Sequence, residues 1–233
     1  CESLGAYYND KPLGSFGRVS TYSFYFSHHI STLEGGVCIS QDFELAEVMR
    51  IIRAHGWIRE AHNSKKYLEK YPEIDPKFLF VNLGYNLRLT EVQGAMGSVQ
   101  LPKLEEFVSS RRNSAKILLN GLAKYDSVIN FQKETPNGRH SWFGFPMVIH
   151  KKAPFSVQEL RHHLETSGIE TRPIIAGNIV DQPFLKDYKF KHGDLNNAKL
   201  VMDNGFFIGL HHKLNNEKIK YIKYVFEKFF EKI

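Results

Sequence analysis

The chain has 233 residues, 42% of them hydrophobic and 24% charged, a balance that excludes a disordered polymer and allows one large domain or two modest ones. No apolar run approaches the length that spans a bilayer, and two cysteines, Cys1 and Cys38, are too few for a disulfide framework and suit a reducing cytoplasm. The net charge of +6 is uneven: residues 213–233 alone hold six Lys and three Glu. There Ile219, Ile222, Val225, Phe226, Phe229 and Phe230 recur at helical spacing, so the tail reads as an amphipathic helix with solvated lysines, not as a nucleic-acid-binding stripe.

The chain opens on Cys1-Glu2-Ser3-Leu4-Gly5, with no initiator Met and no leader, and reads as a piece of a longer protein. Residues 14–17 form a turn, 19–26 a strand of β-branched and aromatic residues, 28–32 a loop, 34–36 a turn and 36–39 a second short strand. A helix follows with Asp42 as N-cap, Leu45, Val48, Met49 and Ile52 on one face, and Gly56 at its end. Residues 57–83 are polar and irregular, with Pro72 and Pro76 as breakers. From Thr90 the pattern is helical again, and Pro102 divides it into a helix ending near Leu101 and another running to Tyr125. A strand at 142–149, a helix at 156–166, a strand at 169–174, a helix at 195–202, a strand at 206–210 and the terminal helix then make a small α/β unit.

The segment with the most chemistry runs from Thr21 to Gly36. A strand delivers Ser23, a short loop presents His28 and His29, and Glu34-Gly35-Gly36 sends the chain back. A strand-end loop holds a basic side chain firmly enough for proton transfer, which makes His28 or His29 a candidate general base. His29, His162-His163 and His211-His212 otherwise read as structural or surface residues, and no His/Cys group has metal-site spacing.

This segment resembles the cofactor-lysine region of the sugar aminotransferase family named for DegT, DnrJ, EryC and StrS. That family places a Ser five residues before its cofactor-linking lysine and a Gly-Glu-Gly-Gly turn after it. Ser23 and His28 have that spacing, so His28 falls on the lysine position, and Leu33 replaces the first Gly of the turn. Further matches are Arg53-Ala54-His55-Gly56-Trp57, Gly84-Tyr85-Asn86-Leu87-Arg88 followed by Gln93, Gly94, Ala95 and Gly97, then Ser141-Trp142-Phe143-Gly144-Phe145-Pro146 and the run from Glu170 to Asn178. The resemblance implies the C-terminal portion of a fold type I pyridoxal-phosphate-dependent transferase. Residues 1–101 would be the remnant of the large mixed-sheet domain, 102–125 a linking helix and 126–233 the small C-terminal α/β domain.

Histidine cannot make the lysine's covalent link to pyridoxal phosphate, but a neutral imidazole can move a proton. The family branch with this replacement comprises 3-dehydratases of deoxysugar biosynthesis that work with pyridoxamine phosphate bound non-covalently. The resemblance therefore implies a nucleotide-linked 4-keto-6-deoxy sugar as substrate, with GDP the favoured nucleotide, and L-glutamate as second reactant. It implies His28 as the catalytic base, with Ser23, Glu2 and Asn86 at the cofactor. Arg88 falls near the sugar; His55 falls near the sugar or caps its helix, Glu170 and Arg172 meet the sugar substrate or the glutamate carboxylate or form a surface ion pair, and Asn86 and Arg88 reach across a homodimer interface. One arm of the branch carries a four-cysteine iron–sulfur cluster in the loop that corresponds to residues 57–84. That loop has no Cys here, so no cluster is expected. An aminotransferase and a non-catalytic fragment are the competing readings. The family's Asp that pairs with the pyridine nitrogen lies two positions before Cys1, so the chain alone is expected to have little activity.

Overall fold

A computed structural model describes residues 1–233, which divide into two compact units. Unit 1 comprises Cys1–Glu105 with Asn137–Arg139, and unit 2 comprises Glu106–Pro136 with His140–Ile233. No helix is long and apolar enough to cross a membrane.

Unit 1 begins with the short strands β1 (Tyr7–Tyr8) and β2 (Lys11–Pro12), followed by the antiparallel pair β3 (Ser20–Ser23) and β4 (Gly36–Ile39). The strand expected over 19–26 stops at Ser23, where the ladder with β4 ends at the Ser23–Gly36 pair and the Tyr25 N–H turns to the Ser23 hydroxyl. Helix α1 (Phe43–Arg53) starts on Asp42, whose carboxylate accepts the Leu45 N–H. Its expected apolar face is only half-buried; the wholly buried side chain is Ile51. Residues 57–83 are more regular than expected. They contain helix α2 (Ser64–Lys70), held to α1 by the Glu47 carboxylate, which accepts the N–H groups of His62 and Asn63. These bonds hold Glu47 below the usual carboxylate range against the opposing effect of its burial. Helix α3 (Glu91–Gln100) starts in a capping box formed by Thr90 and Gln93, and a single 3-10 turn at Pro102 separates it from α4 (Leu104–Leu122).

Unit 2 holds a four-stranded antiparallel sheet in the order β5-β7-β9-β8. Its strands are β5 (Ile129–Phe131), β7 (Gly144–Ile149), β8 (Thr171–Pro173) and β9 (Gly205–Gly209), while β6 (Gly138–Arg139) pairs with β1 in unit 1. β5 is a strand absent from the sequence reading. The period of two along β7 sends Phe145, Met147 and Ile149 to one face. There they meet Ala115, Leu118 and Leu122 of α4, Leu160 and Leu164 of α5 (Val157–Thr166), and Ile222, Val225 and Phe226 of α7 (Asn216–Phe230) in one core. Helix α6 (Asn196–Asn204) precedes β9. The β7 strand starts two residues later than expected because Trp142 sits in the left-handed region, at φ +52°.

Candidate active site

Three hydrogen bonds shape the loop after β3. Phe24 N–H donates to the Gly35 carbonyl at 2.8 Å, Thr32 N–H to the Phe24 carbonyl at 2.8 Å and His28 N–H to the Tyr25 carbonyl at 3.0 Å. His29, Ile30 and Thr32 are each 2% exposed and anchor the far side, leaving His28 half-buried at the loop's crest. The Nδ1 atom of His28 lies 3.1 Å from the Ser23 carbonyl oxygen. A carbonyl can only accept, so Nδ1 carries the hydrogen and the lone pair of the neutral ring sits on Nε2. The edge of the His28 ring meets Tyr25, with ring centroids 6.4 Å apart.

The loop returns through a turn of unusual backbone. Leu33 is at φ +70° and Gly35 at φ +142°. Leu33 thus holds a left-handed conformation with a side chain that disfavours it. At Gly36 a Cβ would stand 2.8 Å from the Tyr22 carbonyl oxygen, so glycine is required by close approach. The Glu34 carbonyl accepts two donors, Thr32 Oγ1 at 2.7 Å and Gln93 Nε2 at 2.9 Å.

The Arg53–Trp57 and Gly84–Arg88 stretches, distant in sequence, touch at the end of α1. His55 takes the left-handed position after the helix, at φ +64°, and its N–H donates to the Tyr85 carbonyl at 2.8 Å. Tyr85 and Leu87 return N–H bonds to the carbonyls of Ile52 (2.7 Å) and Arg53 (2.8 Å), and Asn86 pairs with Ala54 as an isolated bridge. These donors satisfy carbonyls that a helix end otherwise leaves open. His55, Asn86 and Arg88 are all exposed. Glu2 is half-buried, in the turn before β1. Beyond Gly56, the Trp57 ring stacks on Phe78 and Phe80, with Arg59 over it at 5.1 Å.

In unit 2 the period of two along β8 turns Thr171 inward, where Arg161 donates to its hydroxyl at 2.9 Å and Glu165 is bonded to it. Its neighbours Glu170 and Arg172 point to solvent and form an ion pair at 2.7 Å. They border a groove of about 580 Å³ with Phe207, Lys218 and Tyr221. Sequence reasoning overlooked two other groups here. Arg111 is 3% exposed and donates to the carbonyls of Phe143 (3.0 Å), Trp142 and Leu210. Burial lowers its pKa to about 10. His140 accepts the Trp142 N–H on Nδ1 at 2.8 Å, and burial pushes its pKa down although the Glu134 carboxylate opposes this. Sequence also gave no sign that Gln93 reaches the His28 loop. A Thr-x-x-Gln pattern signals a capping box but not a partner 59 residues away.

The model of the DegT/DnrJ/EryC1/StrS aminotransferase family matches residues 1–227. Among curated proteins, a GDP-4-keto-6-deoxy-D-mannose 3-dehydratase of Escherichia coli O55:H7 is 38% identical over 229 residues, which cover 97% of this chain and 58% of the relative. The solved structure of an E. coli GDP-4-keto-6-deoxy-D-mannose-3-dehydratase with bound hydrated PLP superposes with a TM-score of 0.86 at 36% identity, over 97% of this chain and 58% of that one. A GDP-4-keto-6-deoxymannose-3-dehydratase with a trapped PLP-glutamate geminal diamine superposes equally well, at 35% identity and the same coverage. The chain thus has the fold of the type I pyridoxal-phosphate-dependent aminotransferases and spans less than two thirds of the length of these relatives.

Proposed function

Because the chain belongs to the DegT/DnrJ/EryC1/StrS aminotransferase family, we propose that it is the histidine-bearing portion of a nucleotide-sugar 3-dehydratase that acts on a GDP-linked 4-keto-6-deoxymannose. The observation that carries this reading is the Nδ1–H···O=C bond between His28 and Ser23, which leaves a lone pair on Nε2 at the position of the family's lysine. On this reading residues 1–101 belong to the cofactor-binding domain, 102–125 to a linking helix and 126–233 to the small domain. Work on a nucleotide sugar fits a cytoplasmic enzyme.

The residues present fit pyridoxamine phosphate. Ser23 Oγ accepts the Tyr25 N–H and keeps its own hydrogen to donate to a phosphate oxygen. Glu2 would stand beside the ring hydroxyl, and Asn86 would reach the cofactor of a second subunit. When bound, the group supplies the amine and the electron sink that let a hydroxyl leave next to a ketone. The chain supplies the rest. His28 Nε2 would take a proton from the cofactor's C4′ carbon, and the Ser23 carbonyl holds the ring's orientation. Arg88 and His55 provide donors for the sugar nucleotide. Glu170 and Arg172 exchange their mutual contact for ligand groups, and Arg172 suits the carboxylate of L-glutamate, which restores the amine form. Exposed Leu83, Tyr85 and Leu87 around Asn86 support burial of that stretch in a homodimer.

The test uses the full-length protein. His28→Ala is expected to abolish deuterium exchange at C4′ of the bound cofactor. Addition of pyridoxal phosphate and then glutamate is expected to give the pyridoxamine absorbance band with no borohydride-trappable lysine adduct. A trappable adduct, or exchange that survives His28→Ala, would replace this reading with an aminotransferase.

A further inference from the structure

We infer that Gln93 is a positioning residue for the proton-carrying loop, its carboxamide joining the first turn of α3 to the turn that closes the loop behind His28. The inference rests on His28 acting as the base proposed above. The N–H of Thr90 donates to Gln93 Oε1 at 2.8 Å and the Thr90 hydroxyl does so at 3.0 Å, which identifies the oxygen end of the amide. The nitrogen end then donates to the Glu34 carbonyl at 2.9 Å. That carbonyl also accepts Thr32 Oγ1, and the Thr32 N–H donates to the carbonyl of Phe24, the residue after Ser23. A continuous chain of hydrogen bonds therefore runs from the start of α3 to the neighbour of the carbonyl that orients His28.

One helical turn beyond Gln93, on the same face, lies Gly97. A Cβ there would stand 3.3 Å from the Thr32 methyl, a tight contact. The i, i+4 pair Gln93 and Gly97 thus gives α3 both a donor for the turn and room for it to sit close. The turn has need of an outside tie, because Leu33 holds a backbone conformation it does not favour by itself.

The Gln93→Glu variant separates the two duties of the side chain. A glutamate keeps the oxygen that completes the capping box but replaces the amide donor with a carboxylate that repels the Glu34 carbonyl. In this chain, α3 should stay helical while amide hydrogen exchange at Thr32 and Phe24 accelerates on the order of tenfold, the loss of about one hydrogen bond. The ¹⁵N signals of the His28 ring should shift as its bond to Ser23 loosens. Gly97→Ala presses on Thr32 without touching the cap and should change the same signals. Unchanged exchange and unchanged His28 signals in the folded variants would overturn the inference. In the full-length enzyme Gln93→Glu should lower kcat and spare KM, and a loss confined to KM would also overturn it. The exchange and ring signals require no turnover, so they judge Gln93 even where C4′ exchange survives His28→Ala and the functional reading falls.

Discussion

The His28 imidazole is oriented by the backbone carbonyl of Ser23, five residues earlier, and not by the Ser23 hydroxyl. One residue therefore has two separable contributions, a carbonyl for the base and a hydroxyl for an anion. Ser23→Ala should leave the ¹⁵N pattern of the His28 ring unchanged, with the hydrogen on Nδ1. In the full-length protein it should weaken pyridoxamine phosphate by on the order of tenfold, as expected for one hydrogen bond to a charged group. A Ser23→Ala protein with a changed His28 tautomer would contradict this division.

Leu33 is 63% exposed and loses little contact on truncation, while its φ of +70° suits glycine. Leu33→Gly should raise stability by about 0.5–1 kcal/mol, the relief of left-handed strain less the extra entropy of the unfolded glycine. A urea midpoint that falls would show that the Leu33 side chain contributes more than its exposure implies.

Gly84 lies against the end of α1 so closely that a Cβ would stand 2.1 Å from the Gly56 nitrogen. Gly84→Ala should destabilise unit 1 by about 3 kcal/mol and free the Asn86 and Arg88 stretch. Hydrogen exchange at the His55, Tyr85 and Leu87 amides reports that release directly.

Arg111 is a buried cation whose partners are carbonyl oxygens at the entry to β7 and the exit from β9. Arg111→Met should cost about 2–4 kcal/mol, because buried carbonyls lose their charged donor. Arg111→Lys should recover only part of this, since all three carbonyls are reached from Nη1 and the shorter lysine side chain ends before that place. Thermal or denaturant melts of the two variants test the order.

Three histidines of unit 2 make its stability depend on pH. Burial lowers the pKa of His140 and of His211, and burial with the neighbouring His211 and Arg111 lowers that of His212 to about 4, all from the ordinary 6.5. Each group binds its proton more readily in the unfolded chain, so stability is complete above pH 6.5 and declines as pH falls below it. For His212 the decline runs its course only near pH 4. Protonation of His140 also removes the acceptor of the Trp142 N–H. His140→Asn offers a carbonyl to the same N–H without titrating, and should flatten the upper part of this decline in a stability profile from pH 7.5 to 4.

Much of the His28 loop was legible in the sequence because its devices are local. The spacing from Ser23 to His28 and the two glycines at 35 and 36 work within one hairpin, as β4 at Gly36–Ile39 shows. Helix α2 was illegible for the opposite reason. Its sequence, SKKYLEK, has no apolar stripe, and its anchor is Glu47 on another helix. The depth of the α1 face is not legible because apolar spacing identifies a stripe but cannot tell how deeply each member is buried. Gln93 and Arg111 escaped because each acts on main-chain carbonyls, which every residue carries and no motif can mark.

The junction of Gly56 with Gly84 also means that residues 57–83 leave the fold and rejoin it at one place. A segment whose ends meet can change length without moving what lies on either side. Doubling such a loop costs only about 0.6 kcal/mol in closure entropy. Its exposed tip at residues 72–75 is therefore where this chain can best accept an inserted tag, reporter or whole module while the histidine loop keeps its shape.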